Sequence, residues 1–257
     1  MYRPGLPAAV INVLTSVAPA TRPRRLLDIG TGTGIVVAAM LPHFDDVIAI
    51  DTDADMLAVA EASLRPLVPA GKRLTLENCA AEKFALPTGY QADLVTICRA
   101  FHWLDQQLVL GRLAGQVTAD GVVAIFGDGS FWSSDSPWAH AVRSVVQEFL
   151  GEQRRAGEGV FRPSTRPYRE ILAESAFSQV SEVRVPVTRD WSPDTILGYL
   201  YSTSFAAPRL FGARRPDFES AIRETLAALN PEGIFGEDAS FTMTIGRRGE
   251  APSRAQQ

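Results

Sequence analysis

The sequence predicts an α/β protein: a doubly wound, seven-stranded sheet, mostly parallel, with an antiparallel strand near the C-terminus and helical insertions. Three observations carry this expectation. Between Arg24 and Gly129, short aliphatic runs alternate with helical patterns, as they do in successive βαβ units. The first run passes straight into a glycine-rich turn, LLDIGTGTG at Leu26–Gly34. Two late runs, Val180–Thr188 and Ser240–Gly246, read as strands that can pair with each other. With 257 residues, 46% of them hydrophobic, the chain can bury one large core. It is therefore read as a single domain, 1–257, with a core over 1–130, helical insertions at 131–175 and 190–237, and a frayed tail at 248–257.

Taken in order, the expected strands are Arg25–Ile29, Asp46–Asp51, Leu74–Asn78, Ala92–Cys98 and Gly121–Phe126, each a compact apolar run bounded by turn residues. The first crossover helix, Ile35–Leu41, stops at Pro42, whose ring disfavours continuation of the preceding turn. The second starts at Asp53, an N-cap residue type, places Met56, Leu57, Val59, Ala60 and Leu64 inward, and ends at Pro66. A third helix spans Gln106–Val117. Beyond Gly129 the pattern turns helical and aromatic, with Gly157, Gly159, Pro163 and Pro167 marking loops, and Asp194–Leu229 reads as helical.

A net charge of −4 gives no general attraction to phosphate backbones or anionic lipid, so neither nucleic acid nor a membrane is an expected partner. No apolar run reaches the ~20 residues that span a bilayer, and MYRPGLP lacks the features of a secretory signal. A cytoplasmic location is expected. Cys79 and Cys98 fit small buried hydrophobes in a reducing compartment better than a disulfide or zinc site. His43, His102 and His140 have no metal-ligand spacing, and no metal is expected.

The glycine turn carries the functional inference. Gly30, Gly32 and Gly34 allow tight turning and close backbone approach to a ligand. A dinucleotide fingerprint requires Gly-x-Gly-x-x-Gly, but here Ile35 occupies the third glycine's place, which weakens a nicotinamide reading. Asp28, two residues before the first glycine, would repel a pyrophosphate and suits either a loop-organising role or a cationic amine. Asp51, at the tip of the second strand, is placed where a carboxylate accepts the hydroxyls of a ribose; an acidic strand end is also a common helix cap.

These residues resemble the class I S-adenosylmethionine-dependent methyltransferases, in particular the small-molecule branch that includes ubiquinone and trans-aconitate methyltransferases. The likeness covers roughly residues 2–126 and implies a Rossmann-like fold with a substrate lid. It implies that Asp28, Gly30, Thr31, Gly32, Thr33 and Gly34 hold the methionine portion of S-adenosylmethionine, and that Asp51 holds its ribose. DTDADML, Asp51–Leu57, resembles the segment flanking the adenine, which assigns Thr52 and Met56; CAAEKFALP, Cys79–Pro87, assigns Ala81 and Glu82 to the adenine amino group. ADLVTICRAFHWLD, Ala92–Asp105, resembles the fourth strand and its exit, placing Cys98 and Arg99 at the cofactor and His102 and Trp103 at the acceptor. Arg99 departs from the uncharged residue of that branch. YRPGLP resembles a segment that closes over the cofactor, which makes Tyr2 a lid contact.

A sulfonium methyl is already activated, so transfer requires chiefly a nucleophile held in line with water excluded. The function expected is methyl transfer to oxygen or nitrogen of a small, hydrophobic or aromatic metabolite, releasing S-adenosylhomocysteine. His102 is the candidate base, or else an orienting or packing residue. Phe131, Trp132 and Tyr199 are candidate acceptor contacts. Two alternatives stay open: a carboxyl methyltransferase using Arg99, Arg162, Arg166 or Arg209 to hold an organic acid, and a non-catalytic S-adenosylmethionine-binding regulator. The chain is expected to act as a monomer or homodimer.

Overall fold

The strands form where the sequence concentrates buried aliphatic residues. In the computed structural model they are β1 (Arg25–Ile29), β2 (Asp46–Asp51), β3 (Arg73–Asn78), β4 (Ala92–Cys98), β5 (Val117–Gly127), β6 (Gln179–Trp191) and β7 (Phe235–Arg247). The structure describes residues 5–129, 131–152, 155–156, 159–160, 166–203 and 205–249; Tyr2, Arg162 and most of the expected tail lie outside them. The seven strands make one sheet of order β3-β2-β1-β4-β5-β7-β6. β1 pairs in parallel with β2 and β4, β2 with β3, and β4 with β5. β7 runs antiparallel to β5, from Val122 opposite Arg247 to Gly127 opposite Thr242. The mostly parallel doubly wound sheet with its late antiparallel strand is thus the observed architecture. Strand order reverses between β1 and β4, so the carboxyl ends of these two strands flank the crevice where such sheets bind ligands.

The helices are α1 (Ala8–Val17), α2 (Ile35–Met40), α3 (Ala54–Leu64), α4 (Gln106–Leu113), α5 (Pro137–Leu150), α6 (Tyr168–Ala173), α7 (Pro193–Tyr201) and α8 (Arg215–Leu229). α3 begins as its sequence requires: the Asp53 carboxylate accepts from the amides of Asp55 (3.0 Å) and Met56 (3.1 Å). Leu57, Ala60 and Leu64 face inward, but Val59, expected with them, is exposed, because it falls two positions from Leu57 and so off the buried stripe. The expected helix Gln106–Val117 ends four residues early. The amide of Gln116 turns back to Leu113 O (2.9 Å), and its carbonyl accepts from Ala92 N (2.8 Å). Val117 is thereby recruited to the sheet opposite Ala92, where its β-branched side chain is buried. β6 and β7 are both longer than their alternating segments suggested.

The chain divides into two compact bodies: Gly5–Gly127 with Ser164–Val185 and the segment from Phe241, and Asp128–Pro163 with Pro186–Ser240. β6 and β7 each run from one to the other. The first body's core includes Leu27, Ile29, Ile48, Ile50, Val95 and Ile97 from the parallel strands, closed by Phe84, Phe101 and Phe177. Ile171 and Leu172 of α6 belong to that core. In the second body, α5, α7 and α8 bury an aromatic cluster that includes Trp138, Trp191, Phe211 and Phe218.

Tyr90 stitches the parallel strands together: its buried hydroxyl contacts the carbonyls of Leu26 (2.9 Å) and Asp46 (3.2 Å), and the surrounding desolvation raises its pKa above that of a free tyrosine. Tyr90→Phe leaves those carbonyls without this donor, so it should lower unfolding free energy by about 1–2 kcal/mol at constant m-value. Urea titration checks this.

Candidate functional site

The crevice is built around the turn that follows β1. Gly30, Gly32 and Gly34 all adopt positive φ, of 70°, 56° and 81°. Such a turn exposes its amides, and the end of β2 satisfies them: Gly30 N and Thr31 N donate to Ile50 O (2.9 and 3.1 Å), and Gly32 N donates to Asp51 Oδ2 (2.7 Å). The other carboxylate oxygen of Asp51 accepts from Asp53 N at 2.9 Å. Asp51 therefore clamps the turn while remaining only partly buried.

The three glycines have separate reasons for being glycine. A Cβ on Gly30 would stand 2.4 Å from Ala100 Cβ, and one on Gly34 would meet Leu64 Cδ1 at 2.6 Å. These two are fixed by packing. A Cβ on Gly32 would meet nothing nearer than Met56 Sδ at 3.8 Å, so this is the glycine beside open space.

Beneath the turn, Asp28 is 1% exposed. One oxygen accepts from Thr96 Oγ1 at 2.6 Å, across the β1–β4 pairing that sets the two residues opposite each other. Its other oxygen, Oδ2, and the hydroxyl of Thr31 are buried near each other, and neither makes a well-formed hydrogen bond among the described residues. Burial pushes the Asp28 carboxyl up to about 6, opposed by the Thr96 bond and by the nearby Thr31 hydroxyl and assisted by the charge of Asp51. An orphaned carboxylate oxygen and hydroxyl beside an open glycine fit a polar ligand group carrying N–H donors.

Around this centre the first body gathers the other cofactor candidates unequally. Thr52 is exposed and Met56 half-buried. Ala81 is a core residue, and Glu82 spends one carboxylate oxygen on the amide of Asp105 (2.8 Å), tying the loop after β3 to the start of α4. Cys98 is half-buried at the end of β4. Arg99 follows at φ 55°, with its amide donating to Phe126 O (2.9 Å) and its guanidinium 5.4 Å from the Phe241 ring centre. The short helical turn Phe101–Trp103 then presents His102 half-buried against Trp103, ring centres 4.7 Å apart, while Trp103 is half exposed.

Phe131, Trp132 and Tyr199 come together in the second body. Phe131 stacks on Phe205 at 5.8 Å, Trp132 meets Phe205 edge-on at 5.3 Å, and Tyr199 lies against both Phe131 and Trp191. Tyr2 is outside the described residues. Of the arginines considered for an organic acid, Arg162 is outside as well, Arg166 pairs with Glu174 and Glu170, and Arg209 is exposed. Thr96 is not among the residues the sequence singles out, although it is the lone hydroxyl of β4. Among the described residues, no group of His, Cys, Asp or Glu forms a metal site, and no helix is long and apolar enough to cross a membrane.

The sheet reversed between β1 and β4, the clamped glycine turn at that point and the acidic end of β2 are features this chain shares with the class I S-adenosylmethionine-dependent methyltransferases, the class its sequence resembles. Residues 26–121 match the methyltransferase domain family. A Saccharomyces cerevisiae protein named for S-adenosylmethionine-dependent methyl transfer is 27% identical over 124 residues, 48% of this chain and 42% of its own length. The trans-aconitate 2-methyltransferase of Pseudomonas aeruginosa is 29% identical over 118 residues, 45% and 39% of the two chains. The chain thus spans less than half the length of either relative. A structure from Anaeromyxobacter dehalogenans, solved under the name of a type II methyltransferase, shares the fold across 96% of this chain and 98% of that one, with TM-score 0.61 at 22% identity.

The glycine geometry yields a prediction. Gly30→Ala should destabilise the fold by about 2–4 kcal/mol, from its left-handed backbone plus the Ala100 collision, whereas Gly32→Ala should cost only about 1–2 kcal/mol, from the backbone alone. Chemical denaturation of the two variants, with Ala100→Gly added to each, checks it: only the Gly30 variant should recover stability.

Proposed function

We propose that this chain transfers the methyl group of S-adenosylmethionine to an oxygen or nitrogen atom of a small, hydrophobic or aromatic metabolite, with S-adenosylhomocysteine as the other product. One observation carries the reading: a buried aspartate with an unsatisfied oxygen lies beneath a glycine turn whose middle glycine faces open space and whose shape is held by a second aspartate. The bound sulfonium supplies an activated methyl group, so no redox step or metal is required of the protein.

On this reading Asp28 and Thr31 receive the amino-acid end of the cofactor, and Gly32 lets the backbone approach it. Asp51 uses its remaining acceptor capacity for the ribose hydroxyls while holding the turn. Thr52, Met56, Ala81 and Glu82 border the adenine, with Cys98 and Arg99 closing the cleft at the end of β4. His102, braced by Trp103, orients the acceptor and takes its proton where the acceptor is a hydroxyl or a protonated amine. The aromatic side chains Phe131, Trp132 and Tyr199 supply apolar contact area suited to a hydrophobic acceptor.

The elevated Asp28 pKa gives a signed test. With a folded-state value near 6 against an ordinary 3.8, the folded chain holds this proton more tightly than the unfolded chain. The group's contribution therefore erodes stability as pH rises from about 4 to about 6, by about 3 kcal/mol in all, and no further above that. A cationic amine beside Asp28 favours the ionised form. S-adenosylmethionine should then bind about tenfold more weakly at pH 5 than at pH 7 and release a proton on binding near pH 6. Calorimetry in buffers of different ionisation enthalpy should show both effects in the wild type and neither in Asp28→Asn; an affinity flat across this range removes Asp28 from the cofactor site.

Acceptor chemistry is tested separately. His102→Ala should lower kcat by about 10²-fold or more while leaving cofactor affinity within about twofold, if the imidazole acts on the acceptor's proton. Screening a panel of hydroxylated, amino and carboxylic metabolites for S-adenosylhomocysteine formation supplies the substrate for that comparison. Cofactor binding with no product from any panel member would favour the regulatory alternative.

A further inference from the structure

The second body contains an open cavity of about 720 Å³ whose walls combine aromatic rings with an excess of carboxylates. Phe131, Trp138, Trp191 and Tyr199 form the apolar part. Among the described residues, the charged lining is Asp128, Asp135, Glu237 and Asp238 against one cation, Arg189.

That cation is already occupied. Arg189 reaches Asp128 Oδ2 at 2.5 Å and Glu237 Oε2 at 2.8 Å, with all three side chains at most 16% exposed. Glu237 Oε2 also accepts from Trp191 Nε1 at 2.8 Å, and the guanidinium lies 5.5 Å from the Trp191 ring centre. Among the described residues the wall is therefore an Asp–Arg–Glu–Trp network with one more carboxylate than guanidinium. Asp135 and Asp238 add two more on exposed positions; Asp238 accepts from Thr188 Oγ1 at 3.0 Å. Arg143 approaches the ring of Phe131 but is not in the lining, and its guanidinium is spent on the carbonyls of Phe131 and Ser134.

An anionic ligand would have to displace Asp128 or Glu237 from Arg189, leaving a largely buried carboxylate unpaired. A cation meets the opposite situation: aromatic faces attract it through their quadrupoles, and the surplus carboxylates lower its energy further. We propose that this cavity binds a small organic cation with an apolar or aromatic body, an amine or a quaternary ammonium. On the methyl-transfer reading above, on which this second step alone rests, the acceptor belongs to the amine class and nitrogen is the atom methylated. In that transfer an uncharged amine nitrogen displaces the sulfide, forming the N–CH3 bond as the S–CH3 bond breaks; any proton the amine carries is lost to water.

The test uses the full chain and three probes of closely similar size: benzylammonium, benzyl alcohol and benzoate. Tryptophan fluorescence and calorimetry should rank them cation first, alcohol second, anion last. The cation's affinity should fall by about threefold for Asp135→Asn and similarly for Asp238→Asn, and should weaken with added salt. Both substitutions lie on exposed positions, so the variants should fold, and the probe ranking in the wild type needs no variant at all. Equal or tighter binding of benzoate, or no binding of the cation, overturns the proposal. The outcomes separate the two readings. Cation binding without methylation of any amine leaves the site standing and removes the acceptor assignment. Methylation of carboxylates alone leaves methyl transfer standing and removes the cation site as the acceptor's.

Discussion

The turn after β1 places left-handed residues at alternate positions, and nothing within the turn itself satisfies its first three amides. They are satisfied from outside, by the carbonyl of Ile50 and the carboxylate of Asp51. A buried amide without a partner costs about 1–3 kcal/mol, so withdrawing the end of β2 would forfeit most of what keeps this turn in shape. The same turn fixes β4, because Gly30 admits Ala100 at a distance no other residue would tolerate. Three strand ends are locked around one loop of backbone, and every candidate cofactor contact in the first body hangs from one of those three ends or from the loop after β3.

Charge follows from this arrangement. The crevice holds two carboxylates, Asp28 buried and Asp51 half-buried, the second disfavouring ionisation of the first, and no basic side chain forms part of the turn. Such a place repels a diphosphate and welcomes a ligand carrying an amine at one end and a sugar diol further along. The departure of the glycine spacing from a dinucleotide fingerprint points the same way: Gly34 is needed where α3 packs, against Leu64 and Ala60, rather than where a pyrophosphate would sit.

Much of this was legible in the sequence because it depends on local chemistry. Alternating aliphatic runs locate β1–β5 to within a residue or two except at the start of β5, and Asp53 announces α3. What escaped depends on partners distant in the chain. Thr96 matters only because parallel pairing sets it opposite Asp28. Glu82 reads as a ligand contact by resemblance, yet one of its oxygens caps a backbone amide 23 residues away. Helical propensity over 106–117 was outweighed by the demand of Ala92 for a strand partner. The ion network of Arg189, Asp128 and Glu237 joins residues up to 109 positions apart and leaves no signature in any single segment.

Arg99 shows how such distant constraints accumulate at one residue. A non-glycine residue at φ 55° costs about 1 kcal/mol or more, and no short-range pattern asks for it. It is held there because its amide closes on Phe126 O and its side-chain stem lies against Gly127, where a Cβ would approach Arg99 Cγ to 3.2 Å. The absent side chain at Gly127 thus makes room for the arginine, and the face of Phe241, on the neighbouring antiparallel strand, receives its charge. The bend at Arg99 redirects the chain so that Ala100 meets Gly30 and the Phe101–Trp103 turn begins beside it. A strained residue at the end of β4 is therefore what couples the antiparallel strand β7 to the glycine turn at the centre of the sheet, and the position of His102 follows from both.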